Sequence, residues 1–273
     1  MLKSRERSRR GAGVLAAVLS VVCIVSGVVS LLRASSQEPG SPVLVELFTS
    51  EGCSSCPPAD ALLIRLDTEL SVPGAQVIVL SEHVDYWDRL GWRDPFSSKA
   101  FTDRQGAYRQ ALGEPASYTP QMVVDGGAAF VGSLESEALE TIAQAAAAPK
   151  AAMHLHPTAV MGADAVALQI RIANLPRLAG DETADVWLAV TETGLATNVL
   201  RGENARRRLR HAAVARRLER LGTLPAVMPT SYEIAITVPL DPSWNRDQLR
   251  LVGFIQEATS KRVLGAAQVS LAP

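Results

Sequence analysis

Cys53 and Cys56 stand between a mostly apolar run, Val43–Phe48, and the pair Pro57-Pro58. This arrangement narrows the choice of fold more than anything else in the chain. The run VLVELF is rich in β-formers and bounded by turn residues, so it reads as a strand buried on both faces. Proline is tolerated in the first helical turn, where its missing N–H costs nothing. Leu62, Leu66 and Leu70 then form one stripe of a helix. Pro73-Gly74 ends that helix, and Gln76–Leu80 is a second buried strand. Strand, helix and strand in this order predict a parallel unit with a right-handed crossover.

Loops that follow parallel strands cluster at the strands' carboxyl ends. The loop after the first strand carries the cysteines. The loop after the second is Ser81–Phe96, SEHVDYWDRLGWRDPF, with His83, Asp85, Tyr86, Trp87, Trp92 and Asp94. The topology therefore sets the two side by side. Residues 97–112 read as a helix. Tyr118-Thr119-Pro120 leads into a strand at Met122–Val124, Asp125-Gly126-Gly127 is a hairpin turn, and Ala128–Val131 returns. A further helix follows Gly132-Ser133 and ends before Pro149.

After Pro149 the period changes to that of strands. Ala151–His156, Ala165–Ala173, Ala184–Thr193, Tyr232–Leu240, Gln248–Ala258 and Val263–Leu271 have strand character, which argues for a sandwich. Thr197–Leu221 holds eight arginines and reads as a solvated, partly helical crossover with Val214, Leu218 and Leu221 turned inward. No aromatic residue interleaves those arginines and the net charge is −1, so nucleic acid is not an expected partner. His154, His156 and His211 read as surface histidines.

Lys3, Arg5, Arg7, Arg9 and Arg10 precede a charge-free run, Gly11–Leu32. A basic flank followed by an apolar run is an export signal, and this one is also long enough to span a bilayer. Cleavage around Ala34–Ser36 and retention as an anchor are both open. Either way the rest of the chain is expected outside the cytoplasmic membrane, periplasmic or extracellular, where two cysteines persist as a disulfide. The expected organisation is residues 1–36 as signal peptide or anchor, 37–150 as an α/β domain with a central mixed sheet flanked by helices, and 151–273 as a mostly-β, sandwich-like domain.

A helix N-terminus offers unpaired N–H groups and positive potential that stabilise a thiolate. On that basis Cys53 is expected to be the exposed, attacking sulfur and Cys56 the buried, resolving one. Two alternatives stay open. The pair can be a structural staple, or two thiolates with His83 can hold copper or zinc. His83 has two readings, a site residue that tunes the Cys53 thiol and a core residue. Trp87 and Trp92 either wall a groove or pack the insertion onto the sheet.

The stretch Val43–Asp60, together with Tyr118-Thr119-Pro120 and the hairpin after it, resembles the thioredoxin fold. That resemblance implies a cis proline at Pro120 facing the cysteines and shaping a substrate groove with Thr119. It also implies a buried carboxylate near Glu46 that assists proton transfer. More specifically, VELFTS-x-GCSSCPPAD, HVDYWDRLGWRDPF, YTPQMVVDG and RGENARRRLRH resemble an exported bacterial family numbered 1223 among the domains of unknown function. The family's last motif carries a glycine near Arg206 and an asparagine near Ala213, and this chain has neither. The expected activity is thiol–disulfide exchange on protein thiols or disulfides of the cell envelope, with no cofactor. The rival expectation is a metal-binding or non-catalytic envelope protein on the same fold.

Overall fold

The computed structural model describes residues 40–272 except 163, 179 and 225–230. The expected export segment, Cys23 within it included, lies outside the described residues.

Strand β1 (Ser41–Thr49) runs parallel to β2 (Ala75–His83), with Val45 opposite Val79, and helix α1 (Pro57–Thr68) crosses between them. Alternation along β1 decides what each face meets. Val43, Val45 and Leu47 pack against Ala59, Leu62, Leu63 and Leu66 of α1. The same cluster includes Ala138 and Ile142 of helix α3 (Glu135–Ala146). Leu44 and Phe48 point the other way, Phe48 toward Tyr108 of helix α2 (Lys99–Leu112). Ser98 caps α2 by accepting from the Ala100 N–H, and Gly113 closes it in the left-handed region at φ 69°. Strands β3 (Gln121–Val124) and β4 (Ala128–Val131) form a hairpin on the far side of β1. Asp125 and Gly126 both have positive φ in its turn, which the Gly127 N–H closes on the Val124 carbonyl at 3.0 Å.

The later strands are β5 (Ala152–Met161), β6 (Ala165–Ala173), β7 (Ala184–Glu192), β8 (Leu195–Asn198) and β9 (Arg208–His211). They continue with β10 (Val214–Thr223), β11 (Ser231–Pro239), β12 (Leu249–Glu257) and β13 (Val263–Ser270). Here the structure corrects the expected architecture. One mixed sheet runs through both halves of the chain in the order β13-β12-β7-β10-β2-β1-β3-β4. It is not a helix-flanked α/β domain followed by a separate sandwich. The join is at the edge of β2, where Val214 of β10 pairs in parallel with Ser81 and the Ser81 N–H donates to the Ala213 carbonyl at 2.9 Å. The physical reason is apolar continuity. Leu44, Ile78 and Leu80 form one buried cluster with Ala189, Val252, Phe254, Val263 and Ala266, so strands cover what a flanking helix was expected to cover. A three-stranded sheet, β11-β6-β5, stacks on the β7–β12–β13 end, with Val166, Leu168, Ile170 and Ile172 against Val186, Leu188, Val190 and Leu251.

The arginine-rich segment is also corrected. It is not helical but forms β8, β9 and β10. Its later arginines are held by carboxylates across the ladder, Arg216 by Glu192 at 3.0 Å and Arg220 by Asp185 at 3.2 Å. Strand pairing lets long cationic side chains reach acidic neighbours that a helix would not present.

Candidate functional site

Cys53 and Cys56 are joined as a disulfide immediately before α1, with Cys56 as its N-cap residue and Pro57-Pro58 in the first turn. The expectation of an exposed Cys53 sulfur is overturned. Both cysteines are 0% exposed. The cover comes from the second half of the chain, the segment between β8 and β9. Asn204 donates its side-chain amide to two carbonyls, Glu51 at 2.9 Å and Cys53 at 2.8 Å. Glu203 accepts the Ser54 N–H at 3.1 Å.

The aromatic loop after β2 brackets the same turn. Trp87 donates its indole N–H to the Thr119 hydroxyl at 2.8 Å. A side chain on Gly52 would come within 3.0 Å of Trp87 Cβ, a tighter approach than most Cβ contacts, so the loop lies close against the turn. Trp87 thus ties the cysteine turn to Thr119-Pro120, whose peptide bond is cis. Pro120 and Ala59 of α1 both approach Gly132. Trp92 donates to Glu51 Oε2 at 2.8 Å. The two tryptophans therefore pack the loop against Glu51 and Gly52, the residues just before Cys53. Asp85 and Tyr86 both reach toward α2, and the Tyr86 hydroxyl also meets Thr119. Asp85 accepts from Thr102 at 2.6 Å and Tyr86 bonds Gln105 at 3.2 Å, both on α2.

Beneath the disulfide lies a buried titratable cluster. His83 donates from Nδ1 to Asp94 Oδ2 at 2.7 Å, and Asp94 also accepts the Glu51 N–H at 2.8 Å. His211 donates from Nε2 to Glu51 Oε1 at 3.2 Å. The two imidazoles stand edge to face, 4.7 Å apart between centroids. Asp60, one helical turn after Cys56, accepts from Thr49 at 2.9 Å. His83 Nε2, His211 Nδ1 and Asp60 Oδ2 have no hydrogen-bond partner. Burial alone would lower the His83 pKa, but the Asp94 charge and hydrogen bond, with Asp60 and Glu51 beyond, hold it above the ordinary imidazole value. Burial likewise opposes ionisation of Asp94, yet His83 and the Glu51 and Phe96 N–H groups pull its pKa down. Burial dominates at Asp60 and raises its carboxyl, with His211 and His83 only partly offsetting it.

Glu46 is a correction. Its side chain is on the opposite face of β1 from α1, where it accepts from Arg104 Nε at 2.6 Å and from the Tyr108 hydroxyl. The carboxyls on the cysteine side are Asp60, Glu51 and Asp94, of which Asp60 is the one carried by α1. Sequence reasoning missed Asp60, Glu51, Asn204 and Glu203, and it set His211 on the surface. One signal was available for His211. In Arg208-Leu209-Arg210-His211 the apolar and histidine positions alternate with arginines, and on a strand that turns His211 inward, as observed. Among the described residues, no group of three or more His, Cys, Asp or Glu side chains is arranged to hold a metal ion.

Residues 44–256 match the family model described as "Protein of unknown function (DUF1223)". A solved structure from Agrobacterium tumefaciens, a structural-genomics target, is 26% identical at a TM-score of 0.62, over 86% of this chain and 96% of that one. HBP35 of Porphyromonas gingivalis is 16% identical at a TM-score of 0.64, over 85% of this chain and 76% of that one, a likeness of fold alone. No curated protein matches.

Proposed function

Since the chain belongs to the DUF1223 family, whose description names no reaction, we propose an activity from its own residues: thiol–disulfide exchange on cell-envelope proteins through Cys53 and Cys56. The observation that carries it is the disulfide at the N-terminus of α1, where the positive end of the helix dipole favours a thiolate once the bond opens.

In the reducing direction for this chain, a partner thiolate attacks Cys53 Sγ. The Cys53–Cys56 bond breaks and its electron pair leaves on Cys56, which takes a proton. A second partner thiolate then attacks the partner sulfur of the mixed disulfide, so the partner departs oxidised and Cys53 leaves as the thiolate. The reverse sequence reduces a partner disulfide. Asp60, buried with a raised pKa one turn beyond Cys56, replaces Glu46 as the proton-holding carboxyl. Because both sulfurs are covered, exchange requires the Asn204 segment to lift. The basic and then charge-free N-terminus supports an exported location for this chemistry, anchored or released.

Full burial favours a second reading, a structural disulfide in a binding protein. One pair of measurements separates the two. The reduction potential of the Cys53–Cys56 pair should fall in the range of exchange catalysts, and Cys53→Ser should abolish reduction of insulin disulfides. A pair that stays oxidised in strong reductant, with no insulin activity in the unaltered protein, sinks the exchange reading and leaves the staple.

A further inference from the structure

The arginine-rich stretch divides in two. Its later members pair with Glu192, Glu219 and Asp185 along β10. Its earlier members do not. Arg201, Arg206, Arg207 and Arg208 are exposed on the segment that covers the disulfide, and among the described residues none of them pairs with a carboxylate. The aromatic loop adds Arg89 and Arg93, also exposed and likewise without a carboxylate partner among the described residues. The two loops touch. A side chain on Gly202, at φ 77°, would come within 3.1 Å of Trp92 Cβ, and one on Gly91 within 3.7 Å of Gly202 Cα. Their arginines therefore form one rim.

The acidic side chains within these loops are already engaged by their own chain. Asp85 accepts from Thr102, Asp88 from Ser97 and the Asp94 N–H, and Glu203 from the Ser54 N–H. Leu90 and Leu200, 52% and 74% exposed, lie on the same two loops. The overall charge of −1 makes this concentration local, a cationic rim around one buried disulfide on a nearly neutral protein.

From this we infer that the rim is a docking surface for an acidic polypeptide segment, the part of the exchange partner next to its own thiols or disulfide. The inference rests on the proposed exchange reaction. Charge complementarity selects the partner. A polypeptide, unlike a lipid surface, also carries sulfur to the site. Carboxylates that engage Arg206 and Arg207 would grip the segment that must lift, next to Asn204, whose side chain both Arg207 and the Cys53 carbonyl use. Docking and uncovering are thereby coupled at one segment.

The test uses the full chain with its disulfide closed and a fluorescent glutamate-rich peptide without cysteine, read by anisotropy at low salt. Binding that weakens about tenfold in the triple variant Arg206→Glu, Arg207→Glu, Arg208→Glu, and weakens again as salt screens the rim, supports the inference. The control Arg171→Glu reverses an exposed arginine on β6 and should bind as the unaltered chain does. Equal peptide binding by the triple variant overturns the inference. So does capture by phosphatidylglycerol vesicles that depends on the three arginines while the peptide is ignored, which would make the rim a lipid contact. Since peptide binding needs no exchange, intact binding beside a failed insulin assay removes the exchange reading alone.

Discussion

The two faces of the β1–β2 strand pair bury charge in opposite ways. On the α2 face, Glu46 and Glu82 surround Arg104, whose guanidinium also lies about 5 Å from the rings of Tyr108, Trp187 and Phe254. Glu82 is pushed well above the ordinary carboxylate range, first by burial and then by Glu46, so this side holds one charge pair and a neutral acid. On the α1 face, among the described residues, no guanidinium pairs with the acids of the cluster, Glu51, Asp60 and Asp94. Two imidazoles and three carboxyls share the space under the disulfide, and three of their polar atoms have no partner. A permanently charged centre locks one face, while the other is built from groups whose protons can move.

The largest expected effect tests the locked face. Arg104→Met strands Glu46 beside Glu82 and should cost about 3–5 kcal/mol in chemical denaturation, because an unpaired buried charge is far dearer than the pair was worth. Exchange activity per folded molecule should be little changed. A loss below about 1 kcal/mol would mean that the two acids are held some other way.

Asp94→Asn probes the titrating face and should cost about 2 kcal/mol near pH 6. The sign on each side follows from the shifts. Asp94 has a lowered pKa, so its contribution is present above its unfolded value and is lost as pH falls through the folded one. His83 has a raised pKa, so its contribution is complete below its unfolded value and fades as pH rises through the folded one. The penalty of the substitution should therefore be greatest at roughly pH 4–6.5 and shrink on both sides. In the variant the His83 proton resonances should titrate at lower pH. A penalty independent of pH would break the contrast between the faces.

Asn204→Ala has the smallest expected cost, about 1–2 kcal/mol for two hydrogen bonds to backbone carbonyls. Its main signature is kinetic. Reduction of the disulfide by dithiothreitol should speed up about tenfold, since local opening then needs less free energy. An unchanged rate would show that the segment is not what limits access to the sulfurs.

Much of the cysteine neighbourhood could be read locally. Pro57-Pro58 marked the start of α1, the leucine stripe marked its buried face, and Asp125-Gly126 marked the hairpin. Glu46 could not be assigned, because a buried strand with apolar residues on both faces does not reveal which face meets which helix. The arginine segment was misread as helical because its period is masked by cations that only find their acids once β7 lies alongside. Arg206 at φ 68° and Ala213 at φ 47° both lie in the left-handed region, which glycine and asparagine occupy at little cost and this chain occupies with a long and a small side chain.

The sequence by itself determined the pieces whose signals are short in range: the strand before the cysteines, the helix after them, and the turn that follows Thr119-Pro120. Propensity and periodicity act over a few residues, and they suffice for that. Only the tertiary structure decided that β10 adds to the open edge of β2, and with it that Asn204 reaches Cys53 and His211 reaches Glu51 from the far half of the chain. Such pairings depend on which apolar edges and faces are left uncovered when the local pieces have formed, and no local pattern records that.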